Sequence, residues 1–373
     1  MAVSSIATHF ASLPDPRDPR GCRHVLSDLI TITVLATICG FDGWAAVEDF
    51  GKAKRSWLKT FLHLPHGIPS HDCFGRLFAA FEPEAFERCL RSWTASLQQR
   101  SGGSLIAIDG KTSRRSADPD AKQPALHMVS AWCRDNGLVL GQLATEAKSN
   151  EITAIPKLLF MLDLRGAVVT IDAMGCQKDI AAAVRAGGGD YLLQVKKNHP
   201  TVHEEVKLLF DEADKLGFEG MRHARHKTVE KDHGRIETRQ LDSVWDLNWF
   251  HDRADWPGLG CFVRVRSVRE IGGKISREDR FWLCSLGGRD AERLLDLTRG
   301  HWSIENQLHW SLDVTFGEDH CRARKGHSAE HLSRVRGVAL TLLKQETGFK
   351  GGIQRKRMRC AVDHDYLIRV LGA

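Results

Sequence analysis

Apolar residues recur every three to four positions through most of residues 24–98, in "VLSDLITITVLATICGF" from Val25, "GWAAVEDFGKAKRSWLKTFL" from Gly43 and "PSHDCFGRLFAAFEPEAFERCLRSWTASL" from Pro69. That spacing predicts helices with one buried face. Ser70 stands where an N-cap would, and Pro83 suits the first turn of the next helix. The run from Val25 is apolar enough to suggest a membrane span, but Asp28 and three threonines interrupt it, so a buried core helix is expected.

Past "QQRSGG", residues 98–103, the pattern changes. "SLIAID" reads as a strand, and "LHMVSAWCRDNGLVLGQLATE" as two strands split by an Asn136-Gly137 turn. A helix is expected in "NEITAIPKLLFMLDL", a strand in "GAVVTID", a helix in "QKDIAAAVRAGG" and a strand in "DYLLQV". This order predicts an α/β fold around a mixed sheet. Two further strand-rich stretches, "KTVEKDHGRIETRQLDSVW" and "GCFVRVRSVREIGGKISREDRFWLCSL", predict a β-rich insertion or sheet extension near 220–285. The expected organisation is a helical region over 1–100, an α/β core over 104–343 and a basic tail over 344–373.

Composition narrows the class. With 373 residues, 42% hydrophobic and 27% charged, the chain is globular and long enough for two or three structural units. Its ten cysteines form no CxxC pair, which excludes zinc ribbons and redox motifs and suits free thiols in a reducing compartment. The start, "MAVSSIATHFASLPDPRDPRG", lacks the order of a secretory signal. A cytoplasmic protein without a membrane partner is expected. The net charge of +6 is mild, but from Lys344 onward seven basic residues face three acidic ones, and "RHARHKTVEKDHGRIETR" from Arg222 is also cation-rich. Each is either a solvated surface or a phosphate-binding face.

Two apolar strands run into aspartates, "IAIDGKTSRRS" at Asp109 and "VVTIDAMGCQ" at Asp172. A third acid, Glu305, follows Ile304 on a segment whose α-helical wheel sets Ile304, Leu308 and Leu312 on one face, with Glu305 beside Leu312 and directed inward or into a cleft. A buried carboxylate asks for a cation; the alternative is a stripe-edge glutamate paired with an arginine. Three acids at neighbouring strand ends and on a helix would form an oxygen cage suited to Mg²⁺ or Mn²⁺. Two such ions, about 3.5–4 Å apart, activate a water or 3′-hydroxyl and stabilise the leaving oxygen of a phosphodiester. A zinc reading of His301, Glu305 and His309 lacks the HExxH arrangement.

These stretches, with "YLLQVKKNHP", "HGRIETR" and above all "RGHWSIENQLHWSLDVTFGEDHCRARKGHSAEHLSRVRGVAL", resemble the H-repeat-associated insertion-sequence transposases, a branch of the bacterial DDE transposases. "FASLPDPRDPRGCRHVLSDLITITVLATICG" and "IPSHDCFGRLF" extend the resemblance over nearly the whole chain. It implies an RNase H-like catalytic core with Asp109, Asp172 and Glu305 as the metal-binding triad. A Tyr, Arg and Lys signature of wider relatives falls here on Thr298, His301 and Leu312, leaving His301 as the candidate phosphate contact.

A DNA-handling core gives the cations near the strand ends a role beyond surface charge. Lys111, Arg114 and Arg115 follow the first aspartate; Lys196, Lys197 and Asn198 follow the third core strand; Asn306 adjoins Glu305; Arg322, Arg324 and Lys325 come later on the cationic stretch. Arg235 alternates with Glu237 and Arg239, which suits a salt-bridged ladder as well as DNA contact. Trp245, Trp249 and Trp256 are expected to pack, with base stacking as the alternative. The expected activity is cut-and-paste transposition, with cleavage at terminal inverted repeats and joining of 3′-hydroxyls to target DNA. It would use two Mg²⁺ or Mn²⁺ ions per site and a dimer or larger synaptic complex, in a bacterial cytoplasm and at the nucleoid when bound. A domesticated or defence nuclease and a non-catalytic DNA-binding relic are the other classes left open.

Overall fold

The computed structural model describes residues 2–97, 104–120, 122–145, 151–232 and 234–372. The "QQRSGG" segment lies outside the described residues, as do Asn150 and His233. Nine strands are present among them: β1 (Leu105–Ser113), β2 (Leu126–Cys133), β3 (Leu138–Ala144), β4 (Val168–Ile171), β5 (Asp190–Val195), β6 (His223–Asp232), β7 (Arg235–Val244), β8 (Cys261–Ile271) and β9 (Lys274–Cys284). The chain divides into two compact units. Unit one comprises 1–100, 110–148 and 305–373; unit two comprises 101–109 and 149–304.

Unit one is mainly helical. Helix Leu26–Ile38 is buried from Asp28 to Ile38, as its apolar run requires. Its polar side chains are satisfied inside: Asp28 accepts from the Leu64 amide at 3.0 Å, and Thr33 and Thr37 donate to carbonyls one turn back at 2.8 Å. Ser70 caps His71–Ala80 by accepting from the Cys73 amide, and Pro83 opens Pro83–Leu97. Helix Ser328–Gln345 packs on Leu26–Ile38 and on β3 and carries buried Arg334, held by Glu87 at 2.9 Å and Glu330 at 2.7 Å. β2 and β3 form the expected hairpin, with Gly137 of its turn at φ +61°. β2 lies between β3 and β1. No helix among the described residues is long and apolar enough to cross a membrane.

The expected basic tail is not a tail. It folds as helices Ile353–Val362 and His364–Val370, and part of its charge is used inside unit one. Buried Arg357 pairs with Asp42 at 2.8 Å, while buried Lys356 donates to the Leu343 carbonyl at 2.9 Å. Desolvation explains the difference, because a buried cation persists only with carboxylate or carbonyl partners.

Unit two is a sheet with helices. The first half of β1 pairs in parallel with β4, β4 in parallel with β5, and β5 antiparallel with β9; β9, β8, β7 and β6 follow, all antiparallel. The strand-rich stretches after residue 220 therefore extend the core sheet as two hairpins. Helices Glu151–Phe160, Lys178–Ala186, Pro200–Lys215 and Ala291–Gly300 accompany it. Leu105, Val168, Leu192, Val263 and Trp282 of the sheet form one buried cluster with Leu294, Leu295 and Leu297. Arg264 is 1% exposed on β8 and joins Asp242 at 2.7 Å to Asp214 at 2.8 Å.

Candidate active site

Asp109 and Asp172 are aligned by strand register. Ile108 pairs with Ile171 across parallel β1 and β4, and the next residue in the chain after each is an aspartate. Parallel neighbours lie about 4.8 Å apart, so the two aspartates leave the paired stretch of β1 and β4 at one edge of unit two. β4 ends at Ile171, as expected of a strand running into an aspartate. β1 does not end at Asp109: it runs on to Ser113, leaving β4 behind and continuing beside β2. Asp109 thus marks the end of the β1–β4 pairing, not the end of its strand.

Asp172 is half-buried and caps the turn Ala173–Gly175 by accepting from the Met174 amide at 3.0 Å. Burial pushes its carboxyl above the usual aspartate range and the negative charge of Glu151 adds to this, against the amides of Met174 and Gly175 and the charge of Lys196. Lys196 and Lys197 are exposed at the end of β5, and Asn198 anchors this rim by donating to the Ala173 carbonyl at 2.6 Å. His301 is half-buried, with Nδ1 3.2 Å from Thr170 Oγ1 on β4. Burial pulls its pKa down to about 4, helped by the charges of Lys196 and Arg280, so the imidazole is neutral at pH 7. It therefore lacks the charge expected of a substitute for a phosphate-binding arginine.

Glu305 departs from the expected geometry. Ala291–Gly300 is α-helical, but Ile304–His309 and Ser311–Thr315 are π-helical. A π turn closes over more residues than an α turn. Positions four apart still recur on one side, and Ile304, Leu308 and Leu312 are buried as the pattern required. Glu305 and Leu312, seven positions apart, no longer make two whole turns. Glu305 is exposed instead of lying on the buried stripe, and Asn306 is exposed beside it. Among the described residues no group of three or more His, Cys, Asp or Glu side chains is close enough to hold a metal ion.

The other expected DNA contacts divide into cations held by the fold and cations left exposed. Lys111 is clasped by Asp313 at 2.6 Å, Glu318 at 2.9 Å and Asp319 at 3.6 Å, with its side chain 9% exposed. A lysine so enclosed is a structural cation, which corrects its expected place on a DNA-facing loop. Arg114 reaches Asp319 at 3.3 Å but is largely exposed, as is Arg115. Arg235 lies 3.9 Å from buried Glu237, which also holds Arg239 at 2.7 Å and Arg269 at 3.2 Å, so the ladder reading fits this face. Arg322 and Lys325 are exposed, and Arg324 donates to the Arg115 carbonyl at 3.4 Å. Trp256 is buried and Trp249 donates to the Asp246 carbonyl at 2.8 Å, in keeping with packing. The sequence reading missed Trp302, over which Arg280 sits at 4.9 Å, and Trp310, which is 56% exposed. Their position around Glu305 was the available signal.

Comparison with known proteins gives the family. Residues 100–342 match the family described as "Transposase DDE domain", and residues 7–94 the family described as "DDE_Tnp_1-associated". The "H repeat-associated putative transposase YhhI" of Escherichia coli (strain K12) is 37% identical over 377 aligned positions, covering 100% of this chain and 98% of the relative. "Putative transposase YncI" of Escherichia coli O157:H7 is 39% identical, covering 100% and 96%. Among solved structures, a piggyBac transposase synaptic complex with hairpin DNA aligns with 99% of this chain and 82% of its own, at 11% identity and a TM-score of 0.36. With the family match over residues 100–342 and relatives matched over nearly their whole length, this chain belongs to the transposase DDE domain family.

Proposed function

We propose that this protein is the transposase of a bacterial insertion sequence, cutting DNA at the element's terminal inverted repeats and joining the freed 3′-hydroxyls to target DNA. The observation that supports this reading is the register of Ile108 with Ile171 on adjacent parallel strands, each followed directly by an aspartate, Asp109 and Asp172. Two neighbouring carboxylates favour a cation between them, and Asp172 titrates high from burial and the charge of Glu151 in spite of Lys196. Hard oxygen donors in such a place fit Mg²⁺ or Mn²⁺. Asp109 and Asp172 would hold the ions, with Glu305 as the third carboxylate. When bound, two such ions activate the attacking oxygen and stabilise the leaving one.

The chain's own residues supply the rest. The hydrogen bond to the Met174 amide holds one Asp172 oxygen in place, and Lys196 supplies positive charge beside that carboxylate for an incoming phosphate. Neutral His301, held on Thr170, comes four residues before Glu305 in the chain. Two element ends must be brought together for excision, so the working form is at least a dimer. In this reading residues 1–100, with the exposed cations of 344–373, meet DNA ends and the partner, and residues 104–343 carry the chemistry.

The test uses DNA carrying the gene's own flanking sequences and a labelled target duplex, with Mg²⁺ or EDTA. Discrete end cleavage followed by covalent joining of the 3′ ends supports transposition. Cleavage without joining, with a protein that stays monomeric on paired ends by mass, would replace it with a nuclease.

A further inference from the structure

We propose a second DNA-handling site within unit one, a cationic groove that holds an unpaired DNA strand, formed by helix His71–Ala80 and the loop Arg322–Gly326. The inference rests on the transposase reading and adds a ligand and residues to it. The loop is fastened to the helix at its C-terminal end. The His327 amide donates to the Ala79 carbonyl at 3.1 Å, and Ser328 Oγ to the Gly75 carbonyl at 3.4 Å. Gly326, at φ +50°, makes this approach possible, since a Cβ there would lie 2.4 Å from the Ala79 oxygen. A cleft of about 630 Å³ opens between the two walls, and Arg76, Arg322, Arg324 and Lys325 line it.

The charge of these residues is not spent inside the protein. Arg76, Arg322 and Lys325 are exposed, and no ion pair within 4.0 Å engages them among the described residues. The adjoining cleft, of about 650 Å³, is the contrast. Its cations Arg336 and Arg357 are buried, and Asp42 lies 3.9 Å and 2.8 Å from them. Where the fold needs a cation it supplies a carboxylate; in the first cleft it leaves several cations together, an arrangement that repels itself until an anion enters. Asp72 and Asp118, which also line that cleft, do not balance them in number.

Shape turns an anion into a strand. The two clefts share Trp44, Arg322 and Ala323 in their linings, so they adjoin. Each has the volume that takes one ligand of drug size, which admits a nucleotide. Trp44 stands at the junction, half-buried, with its ring 4.9 Å from Phe78 and Gly75 close against it. An indole there provides a stacking surface for an unpaired base, while the cations follow its phosphates.

The decisive experiment measures the salt dependence of binding to a fluorescent single-stranded oligonucleotide, using the full chain and the triple variant Arg76→Ser, Arg322→Ser, Lys325→Ser. All three side chains are exposed, and an unchanged unfolding curve will confirm that the variant folds. Each phosphate contact on a single strand contributes about 0.7 to the slope of log affinity against log salt, so loss of three should lower the slope by about 2. The variant Arg76→Lys, Arg322→Lys should keep the wild-type slope. An unchanged slope in the triple variant overturns the groove. So does inorganic phosphate that, at constant ionic strength, competes with the strand in wild type but not in the triple variant, because that marks a small-anion site. Cleavage of flanking DNA is measured in parallel: a lost slope with no cleavage by wild type sinks the transposase reading and keeps the groove, and normal cleavage with an unchanged slope does the reverse.

Discussion

Replacing Lys111 with methionine separates a structural cation from a DNA contact. The substitution keeps the length of the side chain and removes its charge, leaving Asp313, Glu318 and Asp319 around an apolar end. Glu318 is 2% exposed and lies 2.9 Å from the lysine nitrogen, so its charge would be left to the more distant Arg336, 4.0 Å away, in a medium that solvates it poorly. Removing one partner of a buried pair costs about 3–5 kcal/mol; Asp313 is partly exposed and screened, which places the expectation near the lower limit, about 3 kcal/mol. The loss should also depend on pH. Burial already raises the pKa of Asp313 and Lys111 pulls it back, so without the lysine it rises further. A carboxyl whose folded pKa exceeds its unfolded value favours the folded state at low pH and loses that contribution as pH rises through the folded pKa. The deficit of the variant should therefore be largest near pH 7 and shrink toward pH 4. Urea unfolding of both proteins across this range is the assay, with the salt slope of DNA binding measured beside it. Equal stabilities at pH 7, together with a slope reduced by about 1, would refute the clasp and return Lys111 to the DNA surface.

Three further outcomes follow from the packing. The His301 ring should remain neutral down to about pH 5, because its pKa is about 4, and the stability held by the neutral ring, about 3 kcal/mol at most, should fade as pH drops from 6.5 through 4; an NMR titration midpoint near 6.5 would contradict this. Arg264→Met removes one of the two guanidinium groups on the fully buried Asp242, leaving Arg225 at 2.5 Å, and should cost unit two about 3 kcal/mol in urea unfolding, whereas a surface variant such as Lys207→Met should cost less than about 0.5. Gly326→Ala combines a left-handed φ with a clash on a backbone oxygen and should cost about 2 kcal/mol or more, while Gly220→Ala, with open space at its Cβ, should cost only the left-handed strain of about 1–2 kcal/mol.

Periodicity was informative wherever an element satisfies its own hydrogen bonds and buries one face. The helices from Leu26 and from Pro83, the Asn136-Gly137 hairpin and β4 ending before Asp172 follow from local pattern. Three features do not. β1 continues past Asp109 because β2 lies beside it, a neighbour distant in the pattern that predicts the strand. The π turns around Glu305 leave the apolar spacing of Ile304, Leu308 and Leu312 intact, so an α wheel reads that stripe correctly and the glutamate incorrectly. Charge runs carry no record of their partners: Lys111 and Arg357 look as free in sequence as Lys325, and only the tertiary positions of Glu318 and Asp42 distinguish them. The two aspartates were legible because register follows from strands of similar apolar length. The DNA contacts were legible only as a pool of candidates.

The central claim is that Asp109, Asp172 and Glu305 act as one carboxylate set. Its most direct test is Mg²⁺-dependent cleavage of DNA bearing the gene's flanking ends, comparing wild type with Asp109→Asn, Asp172→Asn and Glu305→Gln at matched DNA binding. The account predicts discrete cuts by wild type, abolished by EDTA and reduced at least about a thousandfold in each variant, as expected when a group that stabilises transition-state charge is removed. Undiminished cutting by any one of the three would contradict it.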